Sequence, residues 1–413
     1  KRREKNIRDN MRINIVMFYF NKRYLFFIVV LITFKNRIKA IVKGSVDVFF
    51  LRKKFRLENL IVSPSSHFNN NHNGLAFSKH VEAIKSKIFN YDVILTGNNL
   101  NSKYLNVSSI PSALYKVKAH FRKRTTHNNI IYDFSSIIRS VALSKNIKLN
   151  FNPNDLLELI SKIESHLYFY EKIIPNKVMI KKVIFVAYYN INDLAMIEVL
   201  KRRGVECIDY QHGIQNNYHP MYSYLSGVSS SIGIPTTFWG WDGVSKKRIV
   251  SELGYERFEL VGNLWYGTKL YKEVLNKLQR SKKTILVALQ LWPDYFNFEL
   301  LDVIRKDTDY LWVFREHPLN RISLDDKNSI LKNNVDIIFE DINTISVETS
   351  INSCDICITG YSTVGIEAHH MGKKIIFVHE NAKFGLSDYI NKDNDIFYAD
   401  TSEMICSILA EDV

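Results

Sequence analysis

The 413-residue chain is poor in the residues that hold small scaffolds together: four cysteines, eight prolines and sixteen glycines. Cys207, Cys354, Cys357 and Cys406 are too few and too scattered for a disulfide framework. Cys354 and Cys357 have CxxC spacing, but both fall within or beside one predicted strand. No second pair and no nearby histidine-rich loop completes a metal site. The thiols therefore read as buried groups in a reducing compartment, which puts the body of the chain in the cytoplasm. Long hydrophobic runs are also missing. Tyr24 to Phe34 stops at eleven residues, where about twenty are needed to cross a bilayer. No clear signal peptide is visible, and no repeat or low-complexity tract beyond the run Asn69 to Asn73. No Arg-Gly-rich tract or aromatic RNA-reading motif accompanies the basic charge, so no nucleic-acid partner is expected.

The charge itself is uneven. The net value is +14, yet residues 1–56 hold 16 of the 56 Lys/Arg and only three of the 42 Asp/Glu. The rest of the chain is close to neutral. A basic segment around the apolar runs Ile13–Phe20 and Tyr24–Phe34 fits a peripheral contact with an anionic membrane, at the inner face of the cytoplasmic membrane. It equally fits a strand or helix of the first domain with basic flanks. A chain that begins with Lys1 reads as a fragment or an over-extended reading frame, with Met11 as the candidate start.

Beyond residue 57 the pattern divides the chain. Residues 57–75 read as a loop, and 75–89 as a helix. A strand at 91–96 follows, then helices at 111–124, 129–146 and 153–173. A basic cluster, His120, Arg122, Lys123, Arg124 and His127, reads as a solvated helix end. From Val183 strands and helices alternate: strands at 183–189, 205–210 and 236–241, with helices at 192–203 and 242–253. After Gly254 the alternation is regular, with strands at 258–261, 284–288, 311–315, 335–339, 355–359 and 375–378. The helices between them fall near 267–280, 296–306, 325–333, 344–353 and 363–371, and 401–410 closes the chain. Such alternation predicts doubly wound parallel sheets. The expected fold is α/β, two Rossmann-like domains facing a cleft: 57–245 on the acceptor side and 250–413 on the nucleotide side.

Open parallel sheets bind ligands at the carboxyl ends of their strands, and four polar clusters stand at such ends. Gln290, with Trp292, follows the strand 284–288. Arg315-Glu316-His317-Pro318 ends the strand 311–315. Gly360-Tyr361-Ser362-Thr363 follows 355–359 and opens a helix, whose first N–H groups suit a phosphate. Glu367, one turn on, suits a ribose hydroxyl. Gln211-His212-Gly213 follows 205–210 in the other block. His317 is a donor for a phosphate or a base carbonyl, and Arg315 a fork for anions. His212 is the first candidate for general base, with Asp209 as its orienter or an alternative base, and His219 a weaker candidate. Taken singly, these residues also read as helix caps, turns, surface carboxylates and core histidines. Their shared placement at strand ends is the functional signal. No Asp-x-Asp dyad stands in a loop where it would hold a metal on a diphosphate, so no metal or other cofactor is required.

These motifs carry a resemblance. Residues 250–413 resemble the nucleotide-sugar-binding domain of GT-B glycosyltransferases through Gly262-Asn263, Arg315-Glu316-His317-Pro318 and Ser362-Thr363-Val364-Gly365-Ile366-Glu367. The His-Pro with a later Ser-Thr resembles bacterial sialyltransferases and Kdo transferases of capsule assembly. Gln211-His212-Gly213 resembles a motif of surface-polysaccharide synthesis proteins. The first 180 residues carry no such likeness. The resemblance implies a metal-independent glycosyltransferase that moves a sugar from a nucleotide-activated donor to a growing capsule, lipopolysaccharide or other cell-surface glycan, free or lipid-linked. His317, Ser362 and Thr363 would hold the donor phosphate. A nucleotide-sugar 2-epimerase, a glycerophosphotransferase and a non-catalytic nucleotide-binding subunit are the alternatives on the same scaffold.

Overall fold

The structure is a computed structural model that describes residues 53–68, 70–72, 75–96, 105–106, 152–216, 219–223, 233–290, 298–306, 309–318, 321–332, 336–391 and 395–411. Residues 1–52 of the basic segment, the helices expected at 111–124 and 129–146, the cluster His120–His127 and Trp292 lie outside the described residues.

Two parallel sheets form the frame. In the first, β1 (Asn59–Pro64), β4 (Tyr91–Thr96), β5 (Leu105–Asn106), β6 (Lys182–Val186), β7 (Glu206–Tyr210), β8 (Thr237–Gly240) and β9 (Phe258–Leu260) lie in the order β5-β4-β1-β6-β7-β8-β9. β2 (Asn70–His72) and β3 (Leu75–Phe77) make a separate antiparallel hairpin. In the second sheet, β10 (Thr284–Ala288), β11 (Leu311–Arg315), β12 (Ile337–Phe339), β13 (Ile356–Thr359), β14 (Lys374–Phe377) and β15 (Ile396–Tyr398) lie in the order β12-β11-β10-β13-β14-β15. By rank along the chain, both orders are 3-2-1-4-5-6, and β9 extends the first. Each sheet therefore reverses direction beside its first strand, between β1 and β6 and between β10 and β13. Such switch points leave a crevice at the strand ends.

The strands are apolar along their length because helices cover both faces. Among the described residues the helices are α1 (Lys79–Lys85), α2 (Pro153–Ile173), α3 (Ile191–Arg202), α4 (Gly243–Leu253), α5 (Lys269–Val274), α6 (Phe298–Lys306), α7 (Leu324–Leu331), α8 (Val347–Asn352), α9 (Thr363–His370), α10 (Glu380–Gly385) and α11 (Ser402–Ala410). Their starts follow local chemistry. Ser78, Asn190, Asp242, Ser346 and Ser362 each accept a backbone N–H of the first turn of their own helix. Four apolar clusters result, one on each face of each sheet. The largest packs Tyr170, Tyr188, Phe185 and Phe238 beneath α2 and α3. In the second domain Trp312 and Phe314 fill one face, and Phe377, Ile366 and Cys357 the other.

Three expectations change. The segment read as a loop at 57–75 contains β1, a strand next to the switch point that is buried from Leu60 to Ser63; its apolar run, Leu60, Ile61 and Val62, is short for a sequence signal. The helix expected at 75–89 begins as β3 and becomes helical only at Lys79, where Ser78 caps it. The strand at 258–261, grouped with the second block by its spacing, pairs with β8, so the first sheet runs through Leu260. Cys207, Cys354 and Cys357 are buried as expected, whereas Cys406 is exposed on α11.

The chain crosses between domains after α5. This crossing is sewn to α8: Asn276 N donates to Thr349 Oγ1 at 3.3 Å, Leu278 N to Ser353 Oγ at 2.8 Å, and Asn352 Nδ2 to the Asn276 carbonyl at 3.1 Å.

Candidate functional site

The carboxyl ends of the two sheets face one another across a cavity of about 730 Å³. Its second-domain wall comes from loops on either side of β10. Arg315, Glu316, His317 and Pro318 end β11, and Ser362, Thr363 and Val364 open α9 after β13. Its first-domain wall comes from His67 after β1, Lys79 and His80 at the start of α1, and His212 after β7. His317 and the hydroxyls of Ser362 and Thr363 thus line the same cavity.

The second-domain wall is fixed by hydrogen bonds from behind. Glu316 is buried and accepts from Ile322 N at 2.8 Å, Lys327 Nζ at 2.9 Å and Arg321 at 3.3 Å. Burial raises its carboxyl, but these donors outweigh it and hold it below the usual range. Glu316 is therefore a brace for the His317 loop rather than a ligand group. Arg315 donates to the Ile345 carbonyl at 3.0 Å and to Ser350 Oγ at 2.9 Å, and lies 3.5 Å from Glu340. It ties β11 to α8. His317 is half-buried, and burial lowers its imidazole, so it is neutral at physiological pH. Ser362 accepts from Val364 N at 3.3 Å, which is the capping role; Thr363 begins the helix.

Gln290 and the turn 360–361 stand behind this wall. Gln290 Oε1 accepts from Tyr361 N at 2.6 Å. A Cβ at Gly360 would collide with that same oxygen, so the absence of a side chain there lets the brace close. The Tyr361 ring packs on His379 at 5.1 Å.

The first-domain wall is a neutral histidine cluster. The rings of His67 and His80, and of His67 and His212, have centroids 5.4 Å apart, and those of His80 and His212 are 6.1 Å apart. Burial, then the other histidines, pushes His212 down to about 3. Burial and the Lys79 charge push His67 down to about 4. His80 falls well below its ordinary value, chiefly by burial. His212 Nε2 lies 3.1 Å from the Tyr189 hydroxyl. The Nδ1 atoms of His67 and His212 are buried without a partner.

Asp209 does not reach His212. Alternation along β7 turns Cys207 and Asp209 to one face and Ile208 and Tyr210 to the other. Asp209 accepts from the Tyr222 hydroxyl at 2.9 Å on the far face, and burial pushes its carboxyl up to about 8. It is a core group, so its expected role as orienter or base is corrected. Gln211 is fully buried; it donates to the Gly213 carbonyl at 2.9 Å and accepts from Trp241 N at 2.7 Å, fixing the loop that presents His212. Gly213 meets the facing domain: a Cβ there would sit 3.5 Å from Thr363 Oγ1. His219 packs on Tyr222 at 4.7 Å and its Nδ1 accepts from Met221 N at 3.3 Å, outside the cavity.

Three wall residues escaped the sequence reading: Lys79, His67 and His80. Lys79 Nζ donates to Glu367 Oε1 at 2.7 Å and lies 3.7 Å from Glu348, both on the second domain. Burial lowers its ammonium, and the two carboxylates reverse that and hold it above its ordinary value. Glu367 is thus engaged by Lys79 here. The Trp265 indole donates to Glu348 at 3.1 Å, and the Tyr266 hydroxyl to the Glu367 carbonyl at 3.2 Å. A signal was present: Ser65, Ser66 and His67 follow an apolar β1 just as Ser362 and Thr363 follow β13. Among the described residues no group of three His, Cys, Asp or Glu side chains is placed to hold a metal ion, and no helix is long and apolar enough to cross a membrane.

Two parallel sheets of the same strand order, turned edge-on to a shared cleft, define an α/β fold of GT-B type. No protein-family model and no curated protein sequence matches the chain. Solved structures do. A UDP-N-acetylglucosamine 2-epimerase matches with a TM-score of 0.50 at 11% identity, over 86% of this chain and 87% of that one. A UDP-GlcNAc 2-epimerase from Neisseria meningitidis bound to UDP-GlcNAc matches at 0.45 and 11%, over 86% and 91%. The wall teichoic acid polymerase TagF matches at 0.41 and 12%, over 91% and 87%. At these identities the likeness is one of fold.

Proposed function

We propose that the chain is a glycosyltransferase that moves a sugar from a nucleotide-activated donor to a hydroxyl of a growing cell-surface glycan. The observation that carries this reading is the asymmetry of the cavity. One wall presents a helix N-terminus with His317; the other presents the neutral imidazoles of His67, His80 and His212. The donor phosphate seats at Thr363 and the first N–H groups of α9, with His317 donating to it. Fixed donors there stabilise the charge that develops on the departing nucleotide, and this role calls on no metal. His212 faces the acceptor hydroxyl and takes its proton. The loops 315–318 and 360–363 are braced from behind by Glu316 and Gln290, so the donors need no rearrangement at the moment of reaction. The basic character of residues 1–56 supports an acceptor near an anionic membrane face.

The test is a thermal-shift screen with CMP, CDP, UDP and GDP, followed by product analysis with the matching sugar donors and with and without glycan acceptors. A product of the reaction that binds the native state raises Tm by mass action. The reading fails if no nucleotide shifts the transition and no donor is consumed. Conversion of the donor sugar without any acceptor would replace it with an epimerase.

A further inference from the structure

The carboxyl ends of the first sheet carry the cavity, and its amino ends carry a different surface. Four of its strand starts lie in one row, because the loops before them are bonded side by side. Asn59 N donates to the Asn90 carbonyl at 3.2 Å and Asn59 Nδ2 to the Phe89 carbonyl at 2.6 Å, which fixes β1 against β4. Lys181 N donates to the Glu58 carbonyl at 2.8 Å and Glu206 N to the Lys181 carbonyl at 3.0 Å, which carries the row on to β6 and β7.

Two apolar side chains stand out from this row. Phe89 is 84% exposed and Met179 69%, on the loops before β4 and β6. β1 separates those strands, so the loops are two strand spacings apart, about 10 Å. Around them the side chains are basic. Lys53, Lys54 and Arg56 lead into β1, Lys177 precedes Met179, and Lys181 and Lys182 open β6. The carboxylates of the same strand starts are already taken: Lys181 holds Glu58 at 2.5 Å, Lys182 holds Glu206 at 3.0 Å, and Lys54 holds Asp92. Arg56 and Lys177 are exposed and meet no carboxylate among the described residues.

We infer that this end of the first domain is a docking surface for an anionic lipid bilayer. Phe89 and Met179 enter the boundary between headgroups and acyl chains, and Arg56, Lys177 and the lysines beside them meet the lipid phosphates. Two apolar knobs on separate loops, set among cations, do not make the contiguous apolar core of a protein interface. A bilayer surface accepts isolated apolar side chains and rewards each basic neighbour. The basic segment of residues 1–56 runs into the same end through Lys53, so its charge and that of the surface add on one side. β1 is six residues long, about 20 Å, so docking here leaves the cleft at its far end open. Docking at this end is independent of what the cavity catalyses.

Co-sedimentation of the full chain with lipid vesicles tests the surface. Wild type should pellet with phosphatidylcholine vesicles that contain phosphatidylglycerol and stay in solution with phosphatidylcholine alone. Salt at about 0.5 M, where screening is short-ranged, should release it. Phe89→Ser with Met179→Ser, and separately Arg56→Glu with Lys177→Glu, should each lower the vesicle partition coefficient about tenfold or more. All four positions are exposed, so both variants should keep the wild-type Tm, which separates lost docking from lost folding. Wild type that ignores anionic vesicles, or binds both kinds equally, overturns the surface. Either variant binding like wild type also overturns it, since residues 1–52 would then carry the affinity without it.

Discussion

Lys79 and Glu367 are 288 residues apart in sequence and 2.7 Å apart in space, and their ion pair joins the two domains at the cavity wall. The lysine side chain is 21% exposed and the glutamate 7%, so the pair is partly desolvated and its loss leaves a carboxylate with little access to water.

Lys79→Met should therefore destabilise the protein by about 1–3 kcal/mol, below the range for a fully buried pair. Because the native ammonium is held above its ordinary value, its contribution is complete below the unfolded-state value of about 10.4. It is lost as pH rises through the higher native value. Denaturant titrations of wild type and variant should stay parallel from neutral pH to about pH 10 and converge above it.

His317→Ala should lower donor turnover by about tenfold or more while leaving the fold intact, since Glu316 braces the loop. Equal rates in variant and wild type would take His317 out of the site. Glu316→Gln offers the contrast: it weakens the acceptor of Lys327 and Arg321, so stability and turnover should fall together.

Asp209→Asn should leave turnover intact and raise stability at alkaline pH. The native carboxyl titrates at about 8 and the unfolded one at about 3.9. Between these values the native state holds a proton that the unfolded state has lost, so the wild type weakens as pH rises. The amide removes that dependence and still accepts from Tyr222. A gain of about 1–3 kcal/mol at pH 8, shrinking to nothing near pH 4, is the expected curve by urea denaturation. A collapse in kcat at unchanged Tm would contradict the placement of Asp209 in the core.

Gly360→Ala should force Gln290 off the Tyr361 N–H, because the new methyl occupies the place of its carbonyl oxygen. The cost should be about 1–3 kcal/mol. Nucleotide affinity should fall with it, measured by calorimetry, as the turn before α9 shifts.

Much of this architecture is legible in the letters. The strands from Thr284 to Phe377 show as short apolar runs with polar ends, because a sheet covered on both faces tolerates nothing else. The placement of His317 beside Ser362 and Thr363 follows from that alternation alone. β1 is less legible: Asn59–Pro64 is brief, and Pro64 and the serines after it resemble a turn. Losing β1 hides His67, and reading 75–89 as one helix makes Lys79 another solvated lysine. Its partner is nearly three hundred residues away, a pairing that local periodicity does not encode. Asp209 misleads for the opposite reason. It stands three positions from His212, but pleating sends it through the sheet.

The crossing from α5 to β10 is stitched to α8, and α8 also carries Glu348, the second carboxylate beside Lys79. Tether and clasp therefore share one short rod. If the halves swing apart, that rod is the natural fulcrum, and the crossing has little slack to pay out. The gape of such a jaw is set near its root, so widening it enough for a bulky substrate would first require Asn276 and Leu278 to peel from Thr349 and Ser353.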